Sequence, residues 1–352
     1  MSATLLVQAA SPSQEWPIPE WTAASPQSQG LDGERLGAFV EGLRQGLHFP
    51  DVHSLLIVRN GYLVVEEYFG GWNRERLHEQ QSVSKSFTSA IIGLALQRGD
   101  LESLDQKIVD FFPEYEIENR DARKESMTLR DLLTMRSGTD YHERGYQGSP
   151  HAQLNSLSRG WDRFVLNRPM LRQPGTHFQY DSGGVILLSA ILKQVTGLHA
   201  DQYADRYFFP KIGIENTRWF RNAEGHPHTG GGLSLRPVDM ARLGLLYLRG
   251  GRWGSEQVLD AEWIESSLTQ QVSLNRPNTI GYGYLWWALR PPEEGGQTIW
   301  AAMGYKGQHI FLIPDYDMIV VTSAGNLTST MHAPVDLLYS QILPTVRSRS
   351  SR

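Results

Sequence analysis

Between residues 31 and 47 the apolar positions Leu36, Phe39, Val40, Leu43 and Leu47 recur at helical spacing, which predicts one helix with a single buried face. The period then shortens. "HSLLIVRNGYLVVEEYFGG" is two β-rich runs around Asn60-Gly61, a strong hairpin signal. A helical stripe returns with Phe87, Ile91 and Leu94, and Gly99 stands where a helix would be capped. "TLRDLLTMRSG" (128–138) starts another helix, with Thr128 and Asp131 spaced as a capping box. Further helices are expected over 182–195 and 237–249, the second stopping at Gly250-Gly251. The last stretch reads differently. "YGYLWWAL" (282–289), "TIWAAMG" (298–304), "GQHIFLIP" (307–314) and "DMIVVTSAG" (317–325) are expected to be consecutive strands, closed by a helix near 334–346.

Strands near both ends with helices between them suggest one antiparallel sheet assembled from the chain ends, with a mostly helical insertion packed beside it. The expected division is an N-terminal arm over 1–30, a discontinuous α/β sheet region (31–85 and 280–346), a helical region (86–279) and a tail (347–352). The arm is rich in Ser, Pro and Gln, with Trp16 and Trp21 among prolines, and reads as a surface segment. Residues 139–180 are irregular, with aromatics such as Tyr141, Tyr146 and Trp161 that look exposed. A long loop of this kind is expected to be either a binding loop or disordered.

Composition narrows the function classes. The 352 residues are 40% hydrophobic and 20% charged, with a formal net charge of −5 and no long run of like charge, so nucleic acid and anionic membrane are not expected partners. No apolar run approaches the roughly 20 residues of a membrane span. Cysteine is absent, which removes disulfides and thiolate chemistry together. The opening "MSATLLVQAA" carries no positive charge before its apolar residues, so it reads as a poor secretory signal and a cytoplasmic location is expected.

The chemistry concentrates at "QSVSKSF", where Ser82 and Lys85 lie almost one helical turn apart at a helix entrance. One reading is a capping serine with a solvated lysine. The other is a nucleophile beside its base. A serine needs a base within hydrogen-bond reach. A helix N-terminus adds unpaired N–H groups and positive dipole charge that favour an oxyanion. A lysine can serve as that base when burial lowers its pKa. "QPGTHFQYDSGG" places Tyr180 and Ser182 before a second apolar helix. Tyr180, partly phenolate beside a lysine, could move protons between serine, leaving group and water, and Ser182 could bond Lys85.

Together, "SVSKSFTSAIIGLALQRGDL", "TLRDLLTMRSG", "FQYDSGG", "GGLSLRPVDMARLG", "GYGYLWW" and "GYKGQHIFLIPDYDMIVV" resemble the serine β-lactamase and penicillin-binding-protein superfamily over roughly residues 30–345. They look closest to its class C β-lactamase-like branch of esterases, D-amino-acid peptidases and 6-aminohexanoate-dimer hydrolases. The resemblance implies the β-lactamase/transpeptidase-like fold, an acyl-enzyme on Ser82, Lys85 and Tyr180 as acid–base pair, and no cofactor. The substrate would be a small ester or amide. A β-lactamase, a D-alanyl carboxypeptidase and a non-catalytic sensor of the same fold are the alternatives.

That superfamily carries a third motif, Lys-Thr-Gly or His-Thr-Gly, on a sheet strand. His228-Thr229-Gly230 matches literally but precedes the helix at 237–249, so Ala302-Met303-Gly304 is the better topological match. The match implies that Gly304 lets substrate lie along the strand and that Tyr305 supplies a second oxyanion N–H beside that of Ser82. Ala302 cannot hold a substrate carboxylate, and Lys306 would substitute only in part. Substrates less acidic than β-lactams are therefore expected. The resemblance also brings a loop tyrosine, assigned to Tyr146, to the substrate. His226 and His228 form a His-x-His pair without a recognisable third ligand, so no metal is expected. "GYGYLWW" reads as core, since alternation buries half of a strand.

Overall fold

A computed structural model describes residues 15–143, 145, 147–326 and 333–347. The opening decapeptide, Tyr146 and the tail from 348 lie outside the described residues. The centre of the fold is an eight-stranded antiparallel sheet. Its strands are β1 (Val52–Arg59), β2 (Tyr62–Tyr68), β3 (Val272–Ser273), β4 (Thr279–Tyr282), β5 (Trp287–Leu289), β6 (Ile299–Gly304), β7 (Gln308–Ile313) and β8 (Met318–Ala324). They run in the order β2-β1-β8-β7-β6-β5-β4-β3, so the first hairpin joins the last strand through β1 and β8. The register pairs Leu55 with Thr322 and Ile57 with Val320.

The hairpin turn is built as its residues dictate: Asn60 and Gly61 both have positive φ, 53° and 86°, which matches the twist of the flanking strands. Every residue of β6, β7 and β8 is buried. Those strands are covered on both faces, which explains their continuous apolar runs. Helix α4 (Pro237–Leu248) packs on β1, β7 and β8. At Gly244 an added Cβ would stand 2.9 Å from Ile319, so the glycine lets helix and sheet approach closely.

Helix α1 (Gly33–Arg44) stops before Leu47, which is 68% exposed and so lies outside the expected face. The expected strand 282–289 is two strands, β4 and β5, separated by a turn in which Leu285 has φ 61°. The segment 139–180 is partly helical, at Pro150–Ser156 and Trp161–Leu166. Its aromatics were misjudged: Tyr141 and Trp161 are buried, Tyr141 bonded to His151 Nδ1 at 3.0 Å and Trp161 Nε1 donating to the Leu157 carbonyl at 2.9 Å. Large side chains in irregular backbone mimic surface because no period marks them as inward.

Among the described residues no single helix is long and apolar enough to cross a membrane.

Candidate active site

Ser82 sits in a 3-10 turn, Gln81–Val83, that runs directly into helix α2 (Ser84–Gln97). All but the last two residues of α2 are buried, so it is a central helix with no solvated face on which a lysine could rest. Ser84 does not cap it. Its hydroxyl donates to the Gln81 carbonyl at 2.7 Å and accepts from Leu233 N–H at 3.1 Å, tying the turn to the short strand Leu233–Leu235. The reading of a cap and a solvated lysine therefore fails.

Lys85 is 1% exposed, and its Nζ donates to Ser82 Oγ at 2.8 Å and to the Gly230 carbonyl at 2.5 Å. Burial pushes its pKa down to about 8, while the carboxylates of Glu143 and Asp181 push it the other way. The Gly230 carbonyl accepts from either protonation state. In the neutral amine it takes one N–H, which leaves the lone pair available toward Ser82.

Tyr180 lies across from this pair, its ring centroid 4.8 Å from Lys85 Nζ. The ring stacks on Trp287 with centroids 5.5 Å apart and planes at 21°, which fixes the phenol's direction. Burial and the Glu143 carboxylate raise the phenol well above its ordinary pKa, although its hydrogen bond with Ser82 works in the opposite direction. The expectation of a partial phenolate is thereby corrected: the group is a protonated donor at neutral pH.

Ser182 opens helix α3 (Ser182–Thr196). Its N–H donates to Glu143 Oε1 at 3.0 Å, and its side chain lies beside Gly230. No bond joins it to Lys85; the Gly230 carbonyl occupies that place. Asp181 caps α3 by accepting from Gly184 N–H at 2.8 Å, and burial pushes its carboxyl up to about 6.

The far wall is the end of β6. Gly304 pairs with Gln308, and Tyr305, Lys306 and Gly307 form the turn into β7. A Cβ on Gly304 would fall 2.6 Å from the Gln80 carbonyl oxygen, so the strand end and the turn carrying Ser82 are in direct contact. Gly304→Ala is expected to destabilise the fold by about 1–3 kcal/mol through this overlap. A urea midpoint unchanged from wild type would show that the contact does not form.

His228-Thr229-Gly230 is not on the sheet. It is the loop behind Lys85, with Thr229 Oγ1 donating to the Val185 carbonyl at 2.8 Å. His226 meets His199 edge to face at 4.7 Å, whereas His228 packs on Trp161 at 5.3 Å, so the two rings diverge. Three site features escaped sequence reasoning: the Gly230 carbonyl, the Glu143 carboxylate and the Trp287 platform. Only Trp287 had a signal, its place in the aromatic "GYGYLWW".

The chain matches the Beta-lactamase family over residues 38–339. It is 24% identical to a 6-aminohexanoate-dimer hydrolase of Paenarthrobacter ureafaciens, covering 85% of this chain and 79% of that one. Among solved structures it superposes on EstCE1, a hydrolase with promiscuous acyltransferase activity, with a TM-score of 0.75 at 18% identity, over 90% of this chain and 100% of the other. The octameric penicillin-binding protein homologue of Pyrococcus abyssi gives 0.67 at 22% identity, over 87% and 77%. One fold thus carries differently named activities, so the particular reaction has to be argued from the side chains. The chain belongs to the beta-lactamase family and is a serine hydrolase of that fold.

Proposed function

We propose that the chain hydrolyses an ester or amide of a small molecule through an acyl-enzyme on Ser82. The observation that carries this is the 2.8 Å contact between Ser82 Oγ and a lysine that is buried and held near a pKa of about 8. A neutral Lys85 takes the hydroxyl proton as Ser82 attacks the carbonyl carbon. The N–H groups of Ser82 and Tyr305 hold the oxyanion, each worth roughly 3 kcal/mol. Tyr180 gives its proton to the leaving alcohol or amine and regains one from the Lys85 ammonium. Water then attacks the acyl carbon, its proton passes to the same pair, and Ser82 leaves with a proton returned. Gly304 lets the strand end close on the Gln80 carbonyl, which corrects the expectation that its missing side chain makes room for substrate. Ser182 shapes the loop contact behind Lys85.

Ala302, fully within the strand facing this site, brings no cation to the third-motif position, which supports an esterase or amidase over a dedicated β-lactamase. The deciding test is the intact mass after treatment with a fluorophosphonate, followed by steady-state assays on aryl esters, amides and cephalosporins. A single adduct on Ser82 with ester or amide turnover supports the proposal. Efficient turnover of cephalosporins alone would move the chain to the β-lactamases, and a burst without turnover would make it a sensor.

Glu143 provides a pH test. Its carboxylate raises Lys85, so Glu143→Gln lowers the lysine's pKa while keeping an oxygen for Ser182 N–H. Activity needs neutral Lys85 and rises with pH through that pKa. The acid limb of kcat/KM should therefore move to lower pH, by roughly half a unit to one unit. A limb that stays in place would separate Glu143 from the base.

A further inference from the structure

Beyond the strand end, a hollow of about 530 Å³ opens beside the site. Its wall contains Gln81 and Lys306, the chain neighbours of Ser82 and Tyr305, so it begins one residue, about 3.8 Å of backbone, from each oxyanion donor. Three long cations border it: Arg76, Arg218 and Lys306. No carboxylate among the described residues forms an ion pair with any of them, although thirteen other lysine or arginine side chains are paired. The one acid in the wall, Glu79, accepts from Gln81 Nε2 at 3.1 Å.

The rest of the wall is aromatic, apolar or amide-bearing. Trp72 stacks on His53 at 4.4 Å and tilts against His78 at the same distance, and the two imidazoles share a hydrogen bond of 2.8 Å. Burial pushes His78 down to about 4, so at neutral pH the positive character comes from the three long side chains. Arg76 lies 3.9 Å over the Trp72 ring, which orders its guanidinium without neutralising it. Positive charge gathered unpaired in a concave, partly apolar wall is an arrangement for an anion. Two guanidinium forks suit a planar carboxylate, which they can bind in two-point fashion.

We propose that this hollow holds a carboxylate carried by the substrate on a flexible chain, away from the bond that Ser82 attacks; this rests on the hydrolase reading above. It revises the expectation of less acidic substrates. The cation missing at Ala302 is supplied one wall further along, by residues 76, 218 and 306.

The test compares the mono-4-nitrophenyl ester of adipic acid with 4-nitrophenyl hexanoate, equal in chain length but neutral. Wild type should show a KM at least tenfold lower for the acidic ester, and Arg76→Gln/Arg218→Gln should remove most of that preference. A preference that the double variant keeps, or no preference in wild type, would overturn the proposal. In parallel, calorimetry on Ser82→Ala protein measures free adipate and inorganic phosphate. Adipate should bind more tightly than phosphate, lose affinity in the double variant and inhibit hexanoate turnover competitively. Phosphate binding as tightly as adipate would overturn the carboxylate assignment, and non-competitive inhibition would replace a substrate group with a free effector. If neither ester is turned over, the hydrolase reading fails, whereas the binding arm still decides whether the hollow takes a carboxylate.

Discussion

Ser82→Ala protein is expected to lose roughly four to six orders of magnitude in turnover of any ester that wild type hydrolyses. It should also fail to gain mass with a fluorophosphonate. The size follows from the arrangement. In the proposed mechanism the hydroxyl is the atom acylated, and among the described residues no other serine has its oxygen within 2.8 Å of a buried lysine. Ser84 is committed to Gln81 and Leu233, and Ser86 donates to the Leu285 carbonyl at 2.7 Å. Neither can take over the role. The fold should not suffer, because removing one half-buried hydroxyl leaves Lys85 still bonded to Gly230. Circular dichroism and thermal unfolding like wild type, together with lost labelling, are the expected results. Labelling that survives at wild-type rate would remove Ser82 from the nucleophile role.

The features legible in the sequence were those with a local period or a local turn. Asn60-Gly61 announced its hairpin because two consecutive positive φ angles favour those residue types. Thr128 and Asp131 form the capping box their spacing suggests, with the Asp131 carboxylate accepting from Thr128 N–H at 2.9 Å. Ser82 and Lys85 were visible for the same reason, since three residues bring two side chains together on a helix. Tyr180 needed the longer pattern of blocks that marks the superfamily.

What stayed hidden depends on atoms without a residue signature. The acceptor that holds Lys85 is a backbone carbonyl 145 residues away in the chain, and any residue type offers the same oxygen. Glu143 reaches the site from irregular backbone, where nothing in the sequence gives a direction. The cations at 76, 218 and 306 are spread over three segments, and only the fold makes them neighbours. The break between β4 and β5 was hidden too, because an apolar aromatic run is compatible with one long strand or two short ones.

Lys85→Met separates the base from the fold. The substitution keeps length and apolar stem while removing the nitrogen, so turnover and fluorophosphonate labelling should both slow by about 10²–10⁴-fold, the usual contribution of a positioned base. Stability should behave in another way. The folded pKa of Lys85 is about 8 against an ordinary 10.5, so between those values the unfolded chain binds more protons than the folded one. Wild-type stability therefore rises with pH across that window, and below about 8, where the folded amine is protonated, the full cost of burying it as an ammonium is present. That cost is roughly 3 kcal/mol. Methionine avoids it but leaves the Gly230 carbonyl without its donor, a loss of about 1–3 kcal/mol. At pH 7 the two proteins should thus unfold within about 2 kcal/mol of each other. As pH rises toward 10.5, wild type should gain on the variant, because titrations shared by both proteins cancel in the difference. A variant that loses activity with a pH-independent stability difference would mean that Lys85 is already charged in the folded protein at pH 10. Proton abstraction from Ser82 would then have to be assigned to Tyr180, despite the environment that keeps its phenol protonated.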